Sequence, residues 1–180
     1  MCIRDRCPFE LFGYCGSDYA ACVDERLSVA GWVFMAAGGA TSWQSQKQKS
    51  VALSTVEAEY MAACAACKEA VWQRAILAQA GVLTNHPMLI LTDNQGAMAL
   101  VKNPEHHQRS RYIDVRYHYV RQQVAKRTIR LDYIATADQA ADQLTKPLSK
   151  VQHDHCLAAM GVRSGSAPAN SPLKLYTLQS

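Results

Sequence analysis

The chain has 180 residues, 49% of them apolar and 19% charged, with a net charge of +4. That length suits one domain able to bury a core, and the composition excludes an intrinsically disordered chain. The longest uncharged apolar run, Val29–Ala40, is too short and glycine-rich to span a bilayer, and no secretory signal precedes it, so an intracellular protein without a membrane partner is expected. Seven scattered cysteines, an odd number, fit a reducing compartment.

Residues 1–8 carry no periodic pattern and read as a ragged start to a domain spanning 9–162. Phe9–Tyr14 predicts a strand, and Cys15–Arg26 its end and a polar turn. Ser28–Ala37 predicts a second strand closed by Gly38-Gly39. Ala40–Trp43 and Lys49–Leu53 predict a third, interrupted by polar residues between them, so the three form an antiparallel meander. Ser54 and Glu57 have capping-box spacing and open a helix that runs to about Ala80, with Gly81 as its stop. From Glu59, steps of three and four residues meet Ala62, Ala63, Ala66 and Ala70, a face of small side chains that lets a helix press on a sheet. A wider face, Val56, Tyr60, Cys67, Val71, Trp72 and Leu77, is expected to close one side of the core.

Pro87–Thr92 is a short apolar run of the kind buried in a parallel sheet, and Asp93 follows it. Asn94–Val101 predicts a short helix, and Ile113, Tyr117, Val120 and Val124 mark one side of another. Thr128–Ile134 predicts a fifth strand, Ala137–Thr145 a helix containing Asp142, and Val151–Met160 a last helix; 163–180 reads as a flexible tail. The result is an α/β domain with a mixed five-stranded sheet, a three-strand meander plus two parallel strands, flanked by helices.

Sites in such sheets form at strand carboxyl ends where strand order reverses, here the ends of the first and fourth strands. Glu59, Asp93 and Asp142 come from three distant segments able to converge there. Hard divalent ions take oxygen ligands, and two held about 3.5–4 Å apart stabilise both the attacking and the leaving oxygen of a phosphodiester cleavage. Taken singly, each acid also reads as a helix cap, a dipole partner or a turn residue. Lys102–Arg130 holds eight basic residues against Glu105 and Asp114, which suits either a polyanion-facing surface or a solvated helix face. Cys64 and Cys67 have zinc-ligand spacing but no second pair of finger-like spacing, and Cys67 reads as a core residue.

Four segments, KQKSVALSTVEAEYMAA, LTDNQGAMALVKNP, RYIDVRYHYVRQQV and ADQAADQLTKPL, resemble the ribonuclease H domain of copia-type retrotransposon Pol polyproteins, in that family's order and over about 11–162. The resemblance implies a ribonuclease H-like fold and hydrolysis of the RNA strand of an RNA–DNA hybrid with two Mg²⁺ ions, Mn²⁺ being a possible substitute. It also implies a reverse transcriptase domain in the same polyprotein as partner, and a place in a cytoplasmic particle or the nucleus. Glu59, Asp93 and Asp142 match three of the family's four catalytic, metal-binding acids. Ser54, Thr55, Asn94, Arg109, Arg111 and Arg116 are expected to meet the nucleic acid. The family's first strand reads GY-x-D-A-D-W-A, whereas this chain reads Gly13-Tyr14-Cys15-Gly16-Ser17-Asp18-Tyr19-Ala20, so the catalytic Asp falls on Gly16. Asp18 keeps the same strand face but stands roughly 6.6–6.8 Å further on. A Mg²⁺–oxygen bond of about 2.0–2.1 Å leaves Asp18 a poor substitute unless the strand bulges or slips. The expected function is therefore an impaired hybrid ribonuclease or, alternatively, a catalytically dead nucleic-acid-binding remnant.

Overall fold

The computed structural model describes residues 11–82, 86–102 and 111–162, with only the backbone described for Lys102 and 111–114. The expected ragged start, the tail, Arg109, His106 and His107 lie outside the described residues, as does the side chain of Arg111. Strands β1 (Leu11–Asp18), β2 (Val29–Ala36) and β3 (Gly39–Lys47) form the antiparallel meander. Helix α1 (Thr55–Gln79) leads to β4 (Met88–Thr92), α2 (Gln95–Lys102), α3 (Arg111–Ala125) and β5 (Ile129–Tyr133). Two 3₁₀ turns, Thr136–Asp138 and Ala140–Leu144, and helix α4 (Lys150–Ala159) follow. The sheet order is β3-β2-β1-β4-β5, with β1, β4 and β5 parallel. The expected mixed sheet is the one observed.

Helix α1 opens on a variant of the capping box, in which Glu57 reaches past the N-cap Ser54 to the residue before it. The Glu57 amide donates to Ser54 Oγ (3.2 Å), and Glu57 Oε2 accepts from the Leu53 amide (2.9 Å), so two otherwise orphaned donors at the helix start are satisfied. Ala62, Ala63, Ala66 and Ala70 are all buried, and small side chains there let α1 lie close on the sheet. One core cluster under α1 joins Cys15, Trp32, Phe34, Tyr60, Cys67, Ile90 and Val120. The Tyr60 hydroxyl donates to the Tyr117 carbonyl (3.3 Å), which ties α1 to α3. On the opposite face of the sheet Tyr14, Val33, Leu91, Ala141 and Met160 form a second cluster.

Three elements differ from expectation. Strand β1 runs through Cys15–Asp18, paired residue for residue with β2 up to Asp18↔Val29, where a turn was expected. Strand β3 is continuous through Gln44–Lys47, while Lys49–Leu53 is not strand. Its polar sequence reflects an edge strand whose second half faces water. Around Asp142 the chain forms short 3₁₀ bonds, Asp142 N to the Gln139 carbonyl (3.2 Å) and Thr145 N to the Asp142 carbonyl (3.0 Å), in place of the α-helix expected over 137–145. On the wider α1 face Tyr60 and Cys67 are buried, but Trp72 is 59% exposed and does not join the core.

Candidate active site at the ends of β1 and β4

Parallel pairing of β1 with β4 sets Phe12 opposite Leu89 and Tyr14 opposite Leu91. Gly16 lies two residues beyond Tyr14 on β1. Asp93 follows the last residue of β4 and is half-buried. Glu59 reaches the site from the first turns of α1, and its Oε1 accepts from the Ser17 amide (3.0 Å). Its Oε2 is buried without a hydrogen-bond partner.

Asp142 arrives from the opposite face of the sheet. An ideal Cβ on Gly16 would stand 3.8 Å from Asp142 Oδ1 and 4.0 Å from the Gln139 side chain. These are ordinary van der Waals distances, so a Cβ at position 16 would face Asp142 in contact with it and with Gln139. Gly31, paired with Gly16 in the sheet, is different: a Cβ there would come within 2.7 Å of the Thr145 side chain and 2.9 Å of Leu144 Cβ. The bare backbone at Gly31 is what lets the 140–145 turn lie on β2.

Gln139, which nothing in the sequence pattern singled out, fastens that turn to β1. It is 1% exposed; its amide donates to the Cys15 carbonyl (3.0 Å), and its side-chain oxygen accepts from the Ala141 amide (3.3 Å). Lys146 was likewise missed, though its i,i+4 spacing from Asp142 was a signal. Its Nζ lies 2.8 Å from Asp142 Oδ2.

The acids share one electrostatic field. Burial pushes the Glu59 carboxyl up to about 7, against the Ser17 amide bond, and the charges of Asp93 and Asp142 push the same way. Burial also raises Asp142 above the ordinary carboxylate range, Lys146 opposing it and Asp93 and Asp18 adding to it. The Cys15 thiol is pushed up by burial, then by Glu59 and Asp93. Because the folded pKa of Glu59 lies above its ordinary 4.5, folding favours the neutral acid. Its stabilisation is full below that ordinary value and is lost as pH rises through 7. The expected loss is roughly 2–3 kcal/mol between about pH 5 and about pH 8. Urea unfolding of the wild type and Glu59→Gln in a chelator checks this, since the glutamine variant lacks that slope; equal slopes would contradict it.

The residues present do not make up a divalent-metal centre. A hard ion needs several oxygens converging at bonding distance, and among the described residues no three acidic, histidine or cysteine side chains gather closely enough to hold one. Position 16 offers no carboxylate, and Lys146 already occupies Asp142 Oδ2. Asp18 lies on the same strand as Gly16, two residues beyond it, with no bulge in its pairing to β2 to bring it back.

Of the residues expected to meet nucleic acid, Ser54 caps α1 and Asn94 caps α2, Asn94 Oδ1 accepting from the Ala97 amide (2.9 Å). Thr55 is exposed, and Arg116 is half-buried on α3. Lys126 and Arg127 are exposed, whereas Arg130 pairs with Asp132 (3.2 Å), an acid just beyond the basic stretch. Cys64 and Cys67 are buried free thiols. Among the described residues no helix is long and apolar enough to cross a membrane.

The chain is 40% identical over 154 residues to the retrovirus-related Pol polyprotein from transposon TNT 1-94 of Nicotiana tabacum, covering 86% of this chain. It is a ribonuclease H-like domain of the retrotransposon Pol family. It spans 12% of the length of that relative. No family model matches it. The fold of this Pol-type domain is also that of LC11-RNase H1, solved in complex with an RNA/DNA hybrid (TM-score 0.52, 13% identity, 76% of this chain and 94% of that one). The foamy viral protease-reverse transcriptase, solved with an RNA/DNA hybrid, shares it as well (TM-score 0.56, 16% identity, 81% of this chain and 21% of that one).

Proposed function

We propose that this domain serves copia-type reverse transcription, recognising the RNA–DNA hybrid beside a reverse transcriptase domain of the same polyprotein, with RNA-strand hydrolysis impaired at Gly16. In this reading it works inside the cell, in a cytoplasmic particle or the nucleus. The observation that carries the proposal is the approach of Glu59, Asp93 and Asp142 to the ends of β1 and β4, with a glycine on β1 facing Asp142. Glu59, Asp93 and Asp142 are proposed as the counterparts of three of the four acids of the family's metal centre, a set left incomplete here. The family's activity depends on Mg²⁺, which activates water and stabilises the leaving oxygen when bound. The chain as it stands supplies an incomplete donor set, so no hydrolytic step is assigned to it.

Binding falls to other groups. The α1 and α2 starts, with Ser54, Thr55 and Asn94, lie beside the acids, and Arg109, Arg111 and Arg116 are the proposed phosphate contacts from the basic stretch. A binding remnant with no catalysis is the second reading, favoured by the ion pair of Lys146 on Asp142.

Hybrid binding measured in steps of salt tests recognition. With about four phosphates neutralised, affinity is expected to fall roughly a hundredfold between about 50 and about 200 mM salt, as counterion release requires. Binding that is absent or indifferent to salt would contradict the proposal.

A further inference from the structure

Helix α3 carries a groove of about 700 Å³ that the acid site does not use. Val101 at the end of α2, with Val115, Tyr119 and Val124 on α3, gives it an apolar lining, and Arg121 and Gln122 are among its polar members. Val101, Tyr119 and Val124 are half-buried and pack against the core under α1, so the groove has a fixed floor. Val115 is 68% exposed. The surroundings are basic: from Val115 to Arg127 the chain has four arginine or lysine residues and no acid, and Lys126 and Arg127, directly after α3, are exposed.

An apolar floor in a positive field suits a ligand with apolar faces and a negative backbone. A base-paired duplex turns its base faces inward, whereas an unpaired strand offers both phosphate charge and open π-faces. Helix α2 starts two residues after Asp93, and its eight residues span about 12 Å on the way to Val101. A strand leaving a hybrid held at the acids therefore needs only a short run to reach the groove. We propose that the groove between α2 and α3 is a single-strand nucleic-acid subsite, in which an unpaired base stacks on Tyr119 while Arg121, Lys126 and Arg127 hold the phosphates beside it.

The inference extends the proposed recognition of the hybrid and requires no metal. Fluorescence anisotropy in a chelator, at one fixed salt concentration, compares a blunt RNA–DNA hybrid, the same hybrid with an oligothymidylate overhang of about ten nucleotides, and the oligothymidylate alone. The wild type is expected to bind the overhang form about tenfold tighter than the blunt one, the scale of one stacked base. Tyr119→Ala and Val115→Glu are expected to lose that gain and to keep their affinity for the blunt hybrid, while Tyr119→Phe retains it. Val115 is mostly exposed, so its variant leaves the core undisturbed and decides the matter should Tyr119→Ala not fold. An overhang that adds nothing in the wild type overturns the proposal, as does a gain that survives Val115→Glu. Oligothymidylate bound through Tyr119 without any binding of the blunt hybrid would support the groove and count against hybrid recognition, whereas blunt binding with no overhang gain does the reverse.

Discussion

Gly31→Ala is expected to lower stability by about 2–3 kcal/mol, an effect out of proportion to one added methyl group. The added carbon would sit 2.7 Å from the Thr145 side chain, 2.9 Å from Leu144 Cβ and 3.3 Å from the Ala141 carbonyl. The last two are a side-chain root and backbone, which cannot rotate away, so the whole 140–145 turn must lift. The intrinsic gain of alanine over glycine in a strand, about 0.5–1 kcal/mol, is too small to offset this. Gly39→Ala is the control, because nothing lies within 4 Å of a Cβ there, and a change within about 0.5 kcal/mol is expected. Urea unfolding of both variants makes the comparison. A neutral Gly31→Ala would mean that the turn carrying Asp142 is not seated on β2 as described.

The second large effect is a gain. Gly16→Asp is expected to raise hybrid cleavage in Mg²⁺ by roughly a hundredfold or more, since even indirect partners of a metal are worth about 10–100-fold. The added Cβ is tolerated, since it meets its nearest neighbours at 3.8 and 4.0 Å, and β1 gives the position no positive φ. Electrostatically it is costly without metal, because a carboxylate is added beside Asp142. The variant is therefore expected to be less stable than the wild type in a chelator and to recover when Mg²⁺ is supplied, by mass action on the folded state. Asp18 does not supply the missing group, since an unbroken strand keeps it two residues away.

Much of this arrangement was legible in the chain, and the reasons are local. The Ser54/Glu57 pair wrote the start of α1, and the alanine face from Glu59 wrote which side meets the sheet. The apolar run before Asp93 wrote a central parallel strand. Gly16 stood out only against a family pattern, because a glycine in a strand carries no chemistry of its own. What stayed hidden depends on contacts far apart in sequence. Gln139 bonds to Cys15, 124 residues away, and no periodicity encodes that. The 140–144 turn is 3₁₀ and lies close on Gly31, a contact far off in sequence, and its helix-like composition pointed to the wrong backbone. The second half of β3 looked like a loop because an edge strand tolerates polar side chains on both faces. Basic residues could be counted, but the Arg130–Asp132 pair needed the strand geometry of β5.

Single-turnover cleavage of an RNA–DNA hybrid by the wild type and Gly16→Asp, at matched occupancy and in saturating Mg²⁺, tests the central claim most directly. Equal hybrid binding with rapid cleavage only in the variant is the predicted result, and it would place the defect at one missing carboxylate. A wild type that cuts as fast as the variant would contradict it, because another group would then complete the site and Gly16 would not be its weak point.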